Sequence, residues 1–124
     1  MKPEFTVKDS GQRESFPSGM VRDVREDKGR YDLITPFGLK RLALVYERGA
    51  RKYAARNWEK GAPFSRFIDS AQRHIEQFKA GLSDEDHLAH ACWNLMAIMH
   101  LQETKPALDD MPHYLKDEDG SEHA

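Results

Sequence analysis

The sequence predicts an all-α domain: a small antiparallel helix bundle, completed by oligomerisation, with irregular N- and C-terminal segments. Three observations predict it. Apolar residues recur at the i, i+3/i+4 spacing of a helix in three successive stretches in the middle of the chain. Start and stop residues suited to helix ends flank those stretches. No segment alternates apolar and polar residues as a half-buried strand does.

The first helix starts at Pro36, a favoured first-turn residue, and carries Leu39, Leu42, Ala43, Tyr46, Ala50 and Tyr53 as its apolar stripe, with Glu47 at the edge. In the following AARNWEKGAPFS, the residues Asn57, Gly61 and Pro63 mark a connecting loop. The second helix, about 65–80, has Ser65 as its expected cap. It sets Phe67, Ile68, Ala71, Ile75 and Phe78 on one face and stops at Gly81. Asp69 and Arg73 fall opposite that face, and His74 borders it. The third helix is expected within residues 84–100, with Ser83 as a candidate cap and acidic residues in its first turn, where the helix dipole favours them. Leu88, Ala91, Cys92, Trp93, Leu95, Met96, Ile98 and Met99 cover most of its cylinder, which predicts burial on several sides.

Asp86, His87, His90 and Asn94 interrupt that apolar cylinder as a polar stripe. Polar groups taken from water cost free energy unless they find partners. Four of them on adjacent turns predict a shared inward-facing pocket, whereas a single buried histidine ordinarily bonds a neighbouring backbone.

A chain of 124 residues without an internal repeat fits one domain. Residues 1–29 show no helix or strand period, and residues 104–124 are acidic with two prolines. We divide the chain into a flexible tail at 1–18, a folded domain at 19–114 and a flexible acidic tail at 115–124. With the aperiodic 1–29 and the acidic 104–124 set aside, about three-fifths of the chain is left to form the core. A core that small is marginal, and self-association into a dimer or tetramer is the expected support. Cys92 is the single cysteine, so no internal disulfide forms. The opening MKPEFTVKDS lacks an apolar signal region, and no run approaches the ~20 apolar residues of a membrane span, so a cytoplasmic protein without a membrane partner is expected.

A net charge of −2 argues against a protein that coats nucleic acid. The charges are nevertheless segregated: ten Lys/Arg against four acidic residues from Lys40 to Lys79, and ten Asp/Glu against two Lys from Asp84 onward. Nucleophilic catalysis finds no support, because Cys92 falls in an expected core helix and no serine stands in a strand-to-helix elbow. HExxH, CxxC, Walker and Rossmann patterns are absent. Carboxylates do come from all three helices as Glu47, Asp69 and Asp86, with Glu76 as a further candidate. Oxygen donors of this kind suit Mg²⁺ or Mn²⁺, ions that commonly accompany phosphates. Lys52 and Arg73, and Lys28 and Arg30 in DKGRYD, offer the cationic contacts a triphosphate needs.

Four stretches in order carry a family resemblance: GMVRDVREDKGRYDLITPFGLKRLALVYERGARKYAARNWEKG, SRFIDSAQRHIEQFKAG, DEDHLAHACWN and LDDMPHY. Over about residues 19–114 the chain resembles the phage-type dATP/dGTP diphosphohydrolase domain, which is related to MazG-like nucleotide pyrophosphohydrolases. The resemblance implies an α-helical, metal-dependent enzyme that splits a deoxynucleoside triphosphate into the monophosphate and pyrophosphate. In phages that replace adenine by 2-aminoadenine, such an enzyme can supply dGMP for the modified nucleotide. The carry-over falls on Glu47, Lys52, Tyr53, Asn57 and Trp58 in the first stretch, Asp69, Arg73 and His74 in the second, and Asp86, His87 and Asn94 in the third. The E-E-x-x-E and E-x-x-D helices through which MazG-like enzymes bind magnesium are not intact here.

The mechanism expected from these residues is metal-assisted hydrolysis. Glu47, Asp69 and Asp86 hold Mg²⁺ or Mn²⁺, Arg73 and Lys52 offset charge on the leaving pyrophosphate, and His87 or His74 orients the water. Asn94, Trp58 and Tyr53 are the expected base contacts. Two other classes stay open: another metal-dependent nucleotide phosphohydrolase, which would use the same residue types, and a non-enzymatic phage interaction protein, which would use the basic region from 40 to 79.

Overall fold

The computed structural model describes residues 9–116. Residues 1–8 of the flexible tail expected at 1–18, and residues 117–124 of that expected at 115–124, lie outside the described residues. The chain divides into two compact units, the first ending at Ile34 and the second beginning at Thr35.

The first unit contains an element that the sequence pattern does not signal, an antiparallel hairpin of β1 (Arg13–Ser15) and β2 (Val21–Asp23). Strands of three residues are too short to display a period of two. Two of their three cross-strand pairs are charge-matched instead, with Arg13 opposite Asp23 and Glu14 opposite Arg22. The turn between them follows from its residues. Gly19 takes φ +90° and donates its N–H to the Phe16 carbonyl at 2.9 Å, while Pro17 supplies a fixed φ at the start of the turn.

Three helices form the second unit: α1 (Pro36–Lys52), α2 (Phe64–Lys79) and α3 (His87–Thr104). The all-α expectation holds for this unit. α3 packs against both α1 and α2. Contacts fix the directions, because Arg41 meets Asp86 and Tyr46 meets Trp93, so α1 runs parallel to α3. Phe67 meets Trp93 and His74 meets His87, so α2 runs antiparallel to it.

Helix ends explain themselves locally. Thr35 caps α1 by accepting the Gly38 N–H at 3.4 Å, with Pro36 in the first turn. α2 ends as expected at Gly81, at φ +89°: Gly81 N–H bonds the Phe78 carbonyl and Leu82 N–H the Gln77 carbonyl, the paired closure of a Schellman motif. Two expected caps are corrected. Ser65 lies inside α2, not before it, and its N–H donates to Asp110 at 2.8 Å. Asp86, not Ser83, precedes α3 and accepts the Ala89 N–H at 3.2 Å, so the helix begins later than residue 84.

The core is built from Phe64, Phe67, Ala97 and Leu101, with Trp58, Ala62, Trp93, Ile98, Leu108 and Met111 packed against it. Residues 106–111, expected to be irregular, thus fold back on the helices. Gly61, between the Asn57–Lys60 3-10 turn and α2, sits at φ +91°, ψ 158°, a conformation essentially confined to glycine. A Cβ there would stand 2.5 Å from Leu108 Cδ1.

Apolar faces differ from the expected ones in all three helices; on α2, Phe67 and Ala71 are buried as expected, whereas Ile75 and Phe78 are exposed. On α1 the buried residue is Val45, while Leu39, Ala43, Ala50 and Tyr53 of the expected stripe are exposed. α3 buries its small and polar residues, Ala89, Ala91, Asn94 and Ala97 among them, and exposes Leu88, Cys92, Leu95, Met96 and Met99. The physical reason is its place between two neighbours: alanines let both helices approach closely, Leu101 fills the core near the end of the helix, and Leu88, Leu95, Met96 and Met99 are left on the uncovered side. Cys92 is therefore not a core residue.

Candidate functional site

Three of the residues singled out in the sequence converge where the C-terminal half of α2 meets the first turns of α3. His87 is the most buried of them, at 3% exposure. Its Nδ1 lies 2.9 Å from Nδ1 of His74, and its Nε2 lies 2.8 Å from Oδ1 of Asp84. A carboxylate only accepts, so Nε2 of His87 donates to Asp84, and a neutral His87 ring turns its Nδ1 lone pair toward His74. The His90 ring stacks on His74 with centroids 4.9 Å apart and planes 16° from parallel. The bond from His87 holds Asp84 below the usual carboxylate range. Burial, and then the neighbouring His90, lower the His74 pKa against the opposing pull of Glu85.

Glu85 completes this cluster. One ligand-type atom each from His74, Glu85 and His87 fall within 4.8 Å of one another. Beside them lies a hollow whose polar lining includes Ser83, Glu85, Asp86 and His87, with Phe78, Leu82 and Leu88 as its apolar part. The sequence singles out Asp86 and leaves Glu85 and Asp84 unmarked. The signal that could have found them is the run DEDH itself: a helix cap must be one of its acids, and the others are then free to serve the histidines.

Arginines engage the expected carboxylates separately. Asp86 accepts two hydrogen bonds from Arg41, at 2.6 and 2.7 Å, a fork that holds its pKa down at about 2. Asp69 pairs with Arg73 at 2.9 Å, and Glu47 with Arg51 at 3.5 Å; both pairs are exposed. Glu47, Asp69 and Asp86 do not form a three-ligand group among the described residues.

The remaining residues are scattered. Asn94, 5% exposed, donates to the His90 carbonyl at 2.8 Å, one turn back along α3. Trp58 packs on the core, edge-on to Tyr46 at 5.9 Å and His100 at 4.8 Å. Tyr53 is exposed, with Lys52 Nζ 5.2 Å from its ring centre, and Asn57 opens the neighbouring 3-10 turn. In the first unit, Lys28 bonds Asp23 at 3.1 Å and Arg30 forms a fork on Asp32 at 2.9 Å.

Over residues 18–111 the chain matches the family described as dATP/dGTP diphosphohydrolase, N-terminal. A protein of Salmonella phage PMBT28 named dATP/dGTP diphosphohydrolase is 31% identical to it over 94 residues, covering 70% of this chain and 32% of the relative. The chain thus spans about a third of the length of that relative. No solved structure matches it. The chain belongs to the dATP/dGTP diphosphohydrolase N-terminal family.

Proposed function

We propose that the protein hydrolyses purine deoxynucleoside triphosphates, dGTP or dATP, to the monophosphate and pyrophosphate. The observation that carries this reading is the family match across residues 18–111, which takes in every helix up to and including α3. The histidine cluster supports it, because polar side chains gathered beside an open hollow are what a phosphate ester and its attacking water require.

The roles proposed for the chain's own residues follow from their chemistry. His87 or His74 orients the attacking water, with Asp84 holding the His87 ring in place. Arg73 and Lys52 offset the charge of the departing pyrophosphate, and Tyr53, Asn57, Trp58 and Asn94 remain the proposed base contacts. Lys28 and Arg30 remain proposed phosphate contacts.

Glu47, Asp69 and Asp86 are the proposed oxygen donors for Mg²⁺ or Mn²⁺. Within one protomer they do not fit that task, since each is paired with an arginine and they do not meet. A shell that used all three would take a second subunit. The uncovered apolar side of α3 supports a homo-oligomer whose sites draw on two chains. Among the described residues no helix is long and apolar enough to cross a membrane. A supply of dGMP for a modified purine in a phage is the pathway this activity would serve.

The experiment is a screen of all eight common nucleoside triphosphates with Mg²⁺ and with Mn²⁺, scoring pyrophosphate separately from phosphate. Pyrophosphate from dGTP or dATP is the expected result. Stepwise phosphate release would assign another phosphohydrolase, and no turnover with any nucleotide would favour an interaction protein.

A further inference from the structure

We infer that His74, Glu85 and His87 form a binding centre for a borderline first-row transition ion such as Zn²⁺ or Co²⁺, distinct from any magnesium held by Glu47, Asp69 and Asp86. The inference concerns metal binding alone and does not depend on nucleotide hydrolysis.

Donor chemistry is the first argument. Two imidazoles and one carboxylate suit a borderline divalent metal, whereas magnesium prefers an all-oxygen shell. Geometry is the second. The three ligand-type atoms lie within 4.8 Å of one another, and the two Nδ1 atoms are 2.9 Å apart. Two nitrogens each about 2.0–2.1 Å from one ion stand roughly 3.0–3.4 Å apart, so the pair has to open by only a few tenths of an ångström. Without an ion, one of these nitrogens donates to the other. A tautomer shift that moves the His74 proton to Nε2 leaves both Nδ1 lone pairs facing the same point.

Support for the ligands is the third argument. A metal-bound histidine characteristically gives its other N–H to a carboxylate, which fixes the ring and raises its basicity. Asp84 already holds His87 Nε2 in that way, at 2.8 Å. Glu85, unlike Glu47, Asp69 and Asp86, is in none of the ion pairs among the described residues, so binding an ion need not break one. Three protein donors leave at least one position open, and Glu85 is exposed, so a water or a phosphate oxygen can complete the shell.

The test is a titration of the full chain with Co²⁺ in the presence of excess Mg²⁺, read from the visible d–d absorption. The expected result is a nitrogen-ligand spectrum that saturates at one ion per protomer and is bleached by Zn²⁺. Glu85→Gln alters an exposed side chain and keeps the fold by circular dichroism; it should weaken Co²⁺ binding at least tenfold. Asp84→Asn, which touches a ligand but not the ion, should weaken it about 10–100-fold. His113→Asn removes a histidine paired with Asp109 at 2.6 Å elsewhere on the surface, and it should leave the spectrum unchanged. No spectrum with the folded parent, displacement by Mg²⁺, or an unaltered spectrum in folded Glu85→Gln would each overturn the inference.

Discussion

Arg41 on α1 and Asp86 at the start of α3 are joined by two hydrogen bonds, of 2.7 Å from Nε and 2.6 Å from Nη2, although 45 residues separate them. The same carboxylate caps α3 through Ala89 N–H. One side chain therefore both begins the central helix and ties it to α1.

That double duty separates two substitutions. Asn is nearly as good a cap as Asp, whereas Ala gives up the cap at a cost of about 0.5–2 kcal/mol. Asp86→Ala should accordingly melt well below the parent, losing both cap and fork, and Asp86→Asn should melt between the two, keeping the cap but not the charge and second acceptor that Arg41 engages. Under the proposed hydrolysis, Asp86→Asn should nevertheless lose turnover of dGTP and dATP by orders of magnitude, because a hard cation needs the charge. A folded Asp86→Asn with parental turnover would confine Asp86 to capping and to Arg41. Melting curves with and without Mn²⁺, run beside a pyrophosphate assay, make the measurement.

Asp110 gives a pH-dependent stability. It reaches back to the first turn of α2, accepting from the Ser65 N–H at 2.8 Å and from the Ser65 hydroxyl. Those bonds, the hydroxyl's first, lower its pKa. A folded pKa below the unfolded one gives stability that is present above the unfolded value, near 3.9, and lost as pH falls through the folded value. Asp110→Ala should therefore melt several degrees below the parent at pH 7, and the gap should close as pH falls below about 4. A gap that stays constant down to low pH would mean that the charge of Asp110 contributes nothing.

The helices were legible because their signals are local. Pro36 marks the first turn of α1, Gly81 closes α2, and the periodic apolar residues between such marks identify α1 and α2. Burial was less legible, since Leu39 and Val45 are equally apolar and only the packing of α1 on α3 decides which is covered. The Ser65–Asp110 cap and the Arg41–Asp86 fork join residues 45 apart, a separation at which no local pattern speaks. The polar stripe on α3 did announce its two buried polar residues, His87 and Asn94. It could not tell which acid of DEDH caps the helix and which face His74, because that depends on where α3 starts.

Two glycines in the resemblance motifs should respond in opposite directions. Gly61→Ala forces a glycine-only conformation on alanine and drives a methyl against Leu108, so a loss of roughly 2–5 kcal/mol is expected from strain and overpacking together. Gly49 lies inside α1 without a positive φ, and a methyl group added there would meet nothing within 4 Å. Gly49→Ala should raise stability by about 0.5–1 kcal/mol. Chemical denaturation of both variants checks the pair, and a stable Gly61→Ala would show that Leu108 yields freely.

Assembly is tested on the uncovered side of α3. Leu95, Met96 and Met99 are 43%, 42% and 52% exposed, and with Leu88 and exposed Cys92 they follow helical spacing along one face. A contiguous apolar face of this kind is costly to leave in water, and a second copy of the chain is the proposed cover. Lysine at position 96 keeps helix propensity close to that of Met and, being exposed in the protomer, leaves its core untouched. At the centre of a subunit contact the same lysine would place an unpaired charge in a desolvated interface. Met96→Lys should therefore keep the helical circular dichroism of the parent, shift its mass by light scattering from oligomer to monomer, and lower turnover if the active sites need both subunits. A parent chain that is itself monomeric and active at micromolar concentration would remove the basis for the assembly and would return Glu47, Asp69 and Asp86 to the separate arginine pairs they make in the protomer.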